Sequence, residues 1–443
     1  MAKPPNNFGR LAKLGGLTSR VSSSYLGQRV KGVFQDRETR QRDERQLHID
    51  NAQRVAETMG KLKGAAMKVG QQLAQAVEGM DLPPEVGGAL RDLNNKAEPV
   101  AFEVVQAEIE RQLERPVDEL FAWIDPTPLG TASLAQAHAA RLPDGTQVVV
   151  KVLHPGIEHS VDTDLNALRR LLVGSRVLNR DRREIDALFS EIRERLLEEL
   201  DYYQEAANLA FFRELFHDDP AVQIPATHSA WCTDRVLTMD HLPGVPLDAF
   251  LEVASPEAKQ RAGTTLARTF FRMTYGACAL HADPHEGNYL FTPDGGVGIL
   301  DFGCVKRFDE YWIADYARIA EAAFDGDVDE QLRINRKLGA LTEDAGPEAE
   351  ALLLDFIGAI AIRFKQGRVT LGGDPDPVAE QLKVLAPRFL LFPKQIHTPR
   401  EVLYLHRALG GLYAMLRRLD ARGDWGAMAR EWHRHAIQRV DGG

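Results

Sequence analysis

The sequence predicts an α+β chain: a small strand-rich unit joined by a linker to a larger, mainly helical one, with a helical extension ahead of both. Three observations carry that expectation. Between Ser133 and Met239 the apolar period shortens toward strand spacing in several short runs separated by turn residues. Leu242-Pro243-Gly244-Val245-Pro246 then interrupts the pattern as a linker. Beyond it, helical spacing prevails to the end of the chain.

Residues 1–45 form a basic arm, in which Lys3, Arg10, Lys13, Arg20, Arg29 and Lys31 precede the first acid, Asp36. Interleaved with Leu11, Leu14, Leu17 and Val21, they write an amphipathic helix suited to peripheral contact with anionic lipid. A solvated basic arm accounts for the same residues, and Gly15-Gly16 and Ser22-Ser23-Ser24 oppose a helix. Residues 46–125 are the helical extension. Ile49, Val55, Met59, Leu62, Met67 and Leu73 give it a broad apolar face, Gly60, Gly64 and Gly70 keep it thin, and Pro83-Pro84 ends its first helix. A second helix is expected over 102–112.

Residues 126–245 make the strand-rich unit. Two strands over 133–141 and 147–153 flank a Pro143-Asp144-Gly145 turn, and helices follow over 161–177 and 184–216. Three short strands are expected over 222–225, 229–232 and 235–239, with Thr233-Asp234 as a turn. Residues 246–443 form the helical unit, interrupted by a polar loop at 281–288 and a hairpin turn at Pro293 to Gly296.

Composition narrows the function. At 443 residues, 44% apolar and 27% charged, the chain is an ordinary globular protein of two or three folding units. A net charge of −10 argues against nucleic acid as a partner. Cys232, Cys278 and Cys304 have neither disulfide nor zinc spacing, which suits a reducing, cytoplasmic setting. The most apolar stretch, Leu352 to Phe364, is broken by Asp355 and is too short to span a bilayer. Attachment to a membrane would therefore be peripheral.

The chemistry concentrates in two segments, Leu280-His281-Ala282-Asp283-Pro284-His285-Glu286-Gly287-Asn288 and Leu300-Asp301-Phe302-Gly303. Either alone reads as turn residues. Together and in this order they set Asp283, Asn288 and Asp301 at the spacing of protein-kinase-type phosphotransferases. There one Asp orients or deprotonates the acceptor, while the Asn and the second Asp hold Mg²⁺ on nucleotide phosphates.

Lys151 interrupts the apolar strand Val148-Val149-Val150-Lys151-Val152, either as a phosphate contact or as an edge-strand ammonium in water. Asp201, Glu205 and Asn208 fall on one face of a predicted helix, with Glu205 the preferred carboxylate for Lys151 and a plain wet face the alternative. Upstream, Gly130-Thr131-Ala132-Ser133 occupies the place of a nucleotide-covering loop, but one Gly cannot cradle phosphates as a Gly-rich loop does. Ser133 and Gln136 would touch nucleotide or cap a turn. Lys68 and Gln71, by themselves, decorate a helix with polar side chains.

Taken together, Lys68-x-Gly70-Gln71, the Ala-rich loop, Lys151, Glu199-x-Asp201, Glu205, Asp283, Asn288 and Asp301-Phe302-Gly303 resemble the UbiB/AarF atypical kinases. These are protein-kinase-like proteins tied to coenzyme Q and other isoprenoid lipids. The resemblance spans most of the chain, from about Gln46 past Phe302. It implies a two-lobed kinase-like fold, ATP and Mg²⁺ as cofactors, and a Lys-x-Gly-Gln helix folded over the cleft where a peptide would otherwise lie. Lys68 and Gln71 would line that cleft with Glu199 and Asp201. Lys151 would hold the α/β-phosphates and pair with Glu205. Asp283 would be catalytic, and Asn288 and Asp301 would be the metal ligands. Gly130, Thr131, Ala132, Ser133 and Met239 complete the nucleotide-binding set. On an ideal helix Glu199 and Asp201 point about 200° apart, so both serve one site only if the helix is irregular.

Two departures matter. Gly130-Thr131 stands where many members have Ala-Ala, and the membrane helices of some members are missing. Measured against ordinary protein kinases, Ala282 replaces the Arg before the catalytic Asp, His285 replaces a Lys, and no Ala-Pro-Glu follows Gly303. The expected function is therefore phosphoryl transfer to a small molecule or water, with an isoprenoid or phenolic lipid and lipid-biosynthesis proteins as partners. A small-molecule kinase of the aminoglycoside or choline type, and a nucleotide-switched lipid-binding scaffold, are the alternatives.

Overall fold

A computed structural model gives the fold and describes residues 23, 24, 43, 46, 47, 50, 99–132, 134–157, 161–166, 169, 182–198, 200–371 and 377–442. Lys68, Gln71, Ser133 and Glu199, with nearly all of the basic arm and most of the helical extension, lie outside the described residues. The chain divides into two compact units, one of residues 1–204 and 227–241, the other of 205–226 and 242–443.

The first unit is built on an antiparallel sheet. Helices α1 (Phe102–Leu113) and α2 (Val117–Leu120) precede strands β1 (Trp123–Thr131), β2 (Ala135–Arg141) and β3 (Gln147–Leu153). Helix α3 (Arg182–Glu198) follows; α4 (Tyr202–Leu215), from Glu205 on, and β4 (Val222–Gln223) belong to the second unit, and the chain returns to the first at β5 (Val236–Asp240). The sheet order is β1-β2-β3-β5. The predicted hairpin is present: β2 and β3 pair without interruption from Ala135↔Leu153 to Arg141↔Gln147. Gly145 takes φ 94° in the turn, a region open to glycine at no steric cost. Alternation along β3 buries Val148, Val150 and Val152 against Val105 and Ile109 of α1 and against Leu120 and Phe121. The helix expected over 102–112, present as α1, thus shares the sheet's core with α2, so a division at 125/126 would cut that core.

Two strand expectations change. Strand β1 is not among the strands expected from sequence; it holds Pro126 and Pro128 and tolerates them through register shifts at Ile124/Pro128 and Pro128/Gly130. Ser229 to Cys232 is no strand: Ser229–Trp231 is a 3₁₀ turn, fixed by Trp231 Nε1 donating to Leu120 O at 2.9 Å.

In the second unit, α5 (Leu247–Val253) and α6 (Pro256–Phe271) lead into β6 (Ala279–His281), β7 (Tyr289–Phe291), β8 (Val297–Ile299) and β9 (Val305–Arg307). Helices α7 (Glu310–Asp325), α8 (Val328–Lys337) and α9 (Pro347–Lys365) follow, then β10 (Arg368–Thr370), α10 (Pro377–Leu385), α11 (Arg400–Arg418), β11 (Arg422–Asp424) and α12 (Trp425–Asp441). The starts are written in the sequence. Ser255 caps α6 by accepting from Ala258 N with Pro256 next, and Asp309, Asp327 and Asp424 cap α7, α8 and α12.

Strand β4 pairs in parallel with β8, and β8 pairs with β7 across the predicted Pro293–Gly296 turn. That pairing explains why 205–226, given by sequence to the strand-rich part, belongs to the helical unit. One π-helical turn, Arg272–Gly276, joins α6 to β6. Arg439 of α12 secures it by donating to Gly276 O at 2.8 Å and Tyr275 O at 3.2 Å. Among the described residues no helix is long and apolar enough to cross a membrane.

Candidate active site

Strand β6 delivers the chain into the polar loop, and the β7–β8 hairpin brings the second motif back to it. Tyr289 pairs with Ile299, and just outside that pair Leu300 N donates to Asn288 O at 2.9 Å. Antiparallel register therefore sets Asn288 and Asp301 at the same end of one ribbon, although they are distant along the chain. Asn288 Nδ2 donates to Asp283 Oδ2 at 3.2 Å and to Asp283 O at 3.2 Å. The other carboxylate oxygen, Oδ1, accepts from Arg407 Nη2 of α11, also at 3.2 Å. Asp283 is thus held on both oxygens. Sequence reading missed Arg407: it lies on a separate helix far downstream and carries no local motif. The one available hint was His285, which leaves the loop without its usual Lys.

The second motif is anchored by α4. Asp301 Oδ1 accepts from Gly303 N at 2.9 Å, fixing the turn. Phe302 is fully buried, stacked on Phe212 at 4.5 Å between centroids and edge-on to His281 at 5.2 Å. Asn208 Nδ2 donates to Phe302 O at 2.9 Å. The buried Glu205 borders the same turn: a Cβ on Gly303 would lie 3.8 Å from Glu205 Oε2 and 3.3 Å from Asp301 Oδ1. Glu205, Asn208 and Phe212 form one face of α4, at i, i+3 and i+7.

Asp201 does not share that face, which corrects the continuous helix expected over 184–216. Helix α3 ends at Glu198, α4 starts at Tyr202, and Asp201 accepts from Tyr203 N at 2.9 Å. An Asp side chain competes for backbone N–H groups and so favours a helix start over its interior.

Burial shapes the electrostatics behind the loop. It pushes the His281 imidazole below its ordinary range despite the nearby charges of Asp301 and Asp283. Burial also raises the Tyr289 phenol, with the Asp283 charge adding to it. Both groups are neutral at pH 7, so the charges at the loop are those of Asp283, Glu286 and Asp301 and of Arg407 and Arg418, which pair with Asp283 and Glu286.

In the first unit, Lys151 sits on β3, an interior strand flanked by β2 and β5, which removes the edge-strand alternative. Its side chain is half-buried, with Nζ 5.7 Å from the centroid of the Tyr202 ring. Met239 is buried on β5 opposite Val149. Gly130 and Thr131 end β1, and Ala132 N donates to Ala135 O at 2.8 Å, closing the hairpin turn. Gln136 is committed elsewhere: it accepts from Val100 N at 2.8 Å and donates to Val100 O at 3.2 Å. It ties the chain ahead of α1 to the sheet and is no candidate for nucleotide.

Among the described residues no three His, Cys, Asp or Glu side chains converge as a self-sufficient metal site. Magnesium does not need one, since it is commonly bound through one or two protein oxygens plus phosphates and water. Asn288 spends its amide nitrogen on Asp283, which turns its oxygen into the available ligand atom. With the Asp301 carboxylate at the same ribbon end, the donor set is hard oxygen and fits Mg²⁺.

A family profile described as the ABC1 atypical kinase-like domain matches residues 92–334, which hold Lys151, Glu205, Asp283, Asn288 and Asp301. The chain belongs to this family. As an ABC1-type atypical kinase it is 28% identical over 434 residues to "Atypical kinase COQ8B, mitochondrial" of Rattus norvegicus, covering 94% of this chain and 79% of that protein. It is 28% identical over 381 residues to "Atypical kinase COQ8, mitochondrial" of Saccharomyces cerevisiae, covering 85% and 74% respectively. "Probable protein kinase UbiB" of Xylella fastidiosa is 32% identical over 262 residues, 54% of this chain and 47% of that one. Among solved structures, the Mycobacterium tuberculosis protein Rv3197 in complex with erythromycin matches with a TM-score of 0.61 at 26% identity. That match covers 84% of this chain and 93% of the other. The UbiB/AarF resemblance and the kinase-like α+β fold are both borne out.

Proposed function

We propose that this ABC1-type kinase binds Mg-ATP and transfers its terminal phosphoryl group to a small molecule or to water, in support of ubiquinone or other isoprenoid-lipid metabolism. The observation that carries the reading is the Asp283 carboxylate, fixed on one oxygen by Asn288 and on the other by Arg407. A carboxylate held this way is pre-oriented to accept the proton of an attacking hydroxyl, with little reorganisation during reaction. Asn288 and Asp301 would hold the magnesium, which neutralises phosphate charge when bound. Lys151 supplies a second positive charge for the α/β-phosphates, and Gly130, Thr131, Ala132 and Met239 belong to the nucleotide-binding set.

Small acceptors are favoured over peptides for two reasons. Ala282 is fully buried where peptide kinases carry an Arg, and by resemblance Lys68, Gln71, Glu199 and Asp201 line and restrain the acceptor groove. The printed names of the relatives, COQ8 and UbiB, support a lipid-linked role, and a structural neighbour was solved with a non-peptide small molecule.

The test is a melting experiment with and without Mg-ATP. At 100 times Kd a bound nucleotide adds about 2.7 kcal/mol to stability, so the wild type should melt several degrees higher and Asp301→Asn should not. An undiminished shift in Asp301→Asn would overturn the metal assignment. Phosphate release that ignores anionic liposomes and phenolic lipids would overturn the lipid-linked part and favour a scaffold. Labelled phosphate on an added amino alcohol would favour a general small-molecule kinase.

A further inference from the structure

The polar loop over 281–288 contains no Lys or Arg of its own, with Ala282 before Asp283 and His285 after it. Two cations from elsewhere in the second unit stand near it instead. Arg407 of α11 reaches Asp283. Lys306 of β9 meets the same helix one turn earlier: its Nζ lies 5.5 Å from the centroid of the Tyr404 ring, and Tyr404 and Arg407 are neighbours at i and i+3. Strand register ties Lys306 to the loop as well. It pairs with Leu280 of β6, and Ala282 N donates to Cys304 O at 2.9 Å just beyond that pair. From Leu280 to Asp283 is three residues, at most about 11 Å of chain.

Lys306 differs from the other cations around this loop in having no acid. Arg407, Arg418 and Arg439 each pair with a carboxylate, whereas among the described residues no Asp or Glu forms an ion pair with Lys306. Its side chain is nevertheless half-buried. The Tyr404 ring attracts the ammonium but accepts none of its three N–H donors in the way an anion does. Partial burial weakens hydration of the charge, and an incoming anion compensates for that loss. As a compact point charge, an ammonium takes a carboxylate or a phosphate equally well. A cationic molecule at the same place would be repelled by both Lys306 and Arg407.

We propose that Lys306, beside Tyr404 and Arg407, is an anion subsite for the phosphoryl acceptor, and that the acceptor is a small alcohol carrying a carboxylate or phosphate group at its far end. The inference rests on the phosphotransfer reading and narrows its substrate class. Asp283 receives the hydroxyl, and Lys306 holds the other end of the molecule, which fixes its orientation.

Saturation-transfer NMR titrations on the full chain test this with three probes that differ at one end: 4-hydroxybutylphosphonate, 1,4-butanediol and 4-aminobutan-1-ol. Each is titrated without nucleotide and again with Mg-ADP. The phosphonate alone should bind saturably, and in both conditions. Lys306→Met should weaken it about tenfold or more, and Lys306→Arg should restore it. With γ-labelled ATP, the phosphonate alcohol should take the most label of the three, and Lys306→Met should raise its KM about tenfold. The subsite is refuted if phosphonate binding ignores Lys306→Met, or if the diol binds as tightly. The acceptor role is refuted if Mg-ADP displaces the phosphonate, which would assign Lys306 to nucleotide phosphates. Displacement by phosphatidylglycerol vesicles but not by phosphatidylcholine vesicles would assign it to a lipid headgroup, with the same consequence. Greater labelling of the amino alcohol would also refute it. If no ATP is turned over at all, the phosphotransfer reading falls and takes the acceptor role with it, while the nucleotide-free titration still decides whether Lys306 binds anions.

Discussion

Lowering the pH from 7 to 5 is expected to destabilise the helical unit, and His406 provides a share that can be worked out. Its folded pKa is about 4, against about 6.5 in an unfolded chain. A histidine depressed in this way takes up protons more readily when unfolded. Its contribution to stability is therefore complete above pH 6.5 and drains away as the pH falls toward 4. The slope in that window is about 1.4 kcal/mol per pH unit, so between pH 7 and 5 His406 alone removes about 2 kcal/mol. His281 and His433 are lowered by burial too, and both add to the same trend, although the Glu321 carboxylate at 2.7 Å from His433 opposes the effect there. His406→Phe isolates the term. The variant loses the hydrogen bond to Tyr316 at every pH, a constant offset, but it cannot titrate. Urea unfolding followed by circular dichroism at pH 5, 6 and 7 should show it losing about 2 kcal/mol less than wild type across the range. Parallel curves for the two proteins would refute the burial argument.

Three further outcomes follow from the same geometry. Gly411→Ala places a methyl group inside Pro284, with Pro284 O only 2.9 Å away. Overpacking of about 1–3 kcal/mol should outweigh the helix-propensity gain of about 1 kcal/mol, lowering the melting temperature and phosphate release together. Asn208→Ala strips the buried donor from Phe302 O and should cost about 1–3 kcal/mol by urea unfolding. Arg407→Met should leave stability within about 1 kcal/mol, because both partners of its ion pair are more than one-third exposed, while reducing phosphate release. A large loss of stability there would make Arg407 a structural residue and remove its positioning role.

Much of this fold was legible because local rules and global structure agree. The Pro143-Asp144-Gly145 turn, the alternation of Val148, Val150 and Val152, and the Ser and Asp caps each dictate their element from a few adjacent residues. What escaped has identifiable causes. Pro126 and Pro128 signal a loop locally, yet β1 forms at the sheet's edge, where missing donors cost little and bulges absorb the misfit. The break between α3 and α4 carries no Gly or Pro, and only Asp201 marks it, by capping. Within the site, Asp283, Asn288 and Asp301 could be found from spacing because a single hairpin joins them.

Arg407 could not, and it changes where the candidate active site ends. The family profile stops at residue 334, and every motif residue the structure describes lies before that point. Yet the cation beside Asp283 comes from α11, and the π turn leading to β6 is secured by Arg439 of α12. A protein kinase of the usual kind keeps a Lys two residues after its catalytic Asp; here that place is His285, whose Nδ1 accepts from Gly287 N at 3.0 Å. The positive charge has moved out of the loop onto a separate helix. A loop-borne Lys would be fixed by local backbone alone. An Arg borne on α11 holds its carboxylate only while the last helices are packed, so here the order of the catalytic loop depends on everything that bears on α11.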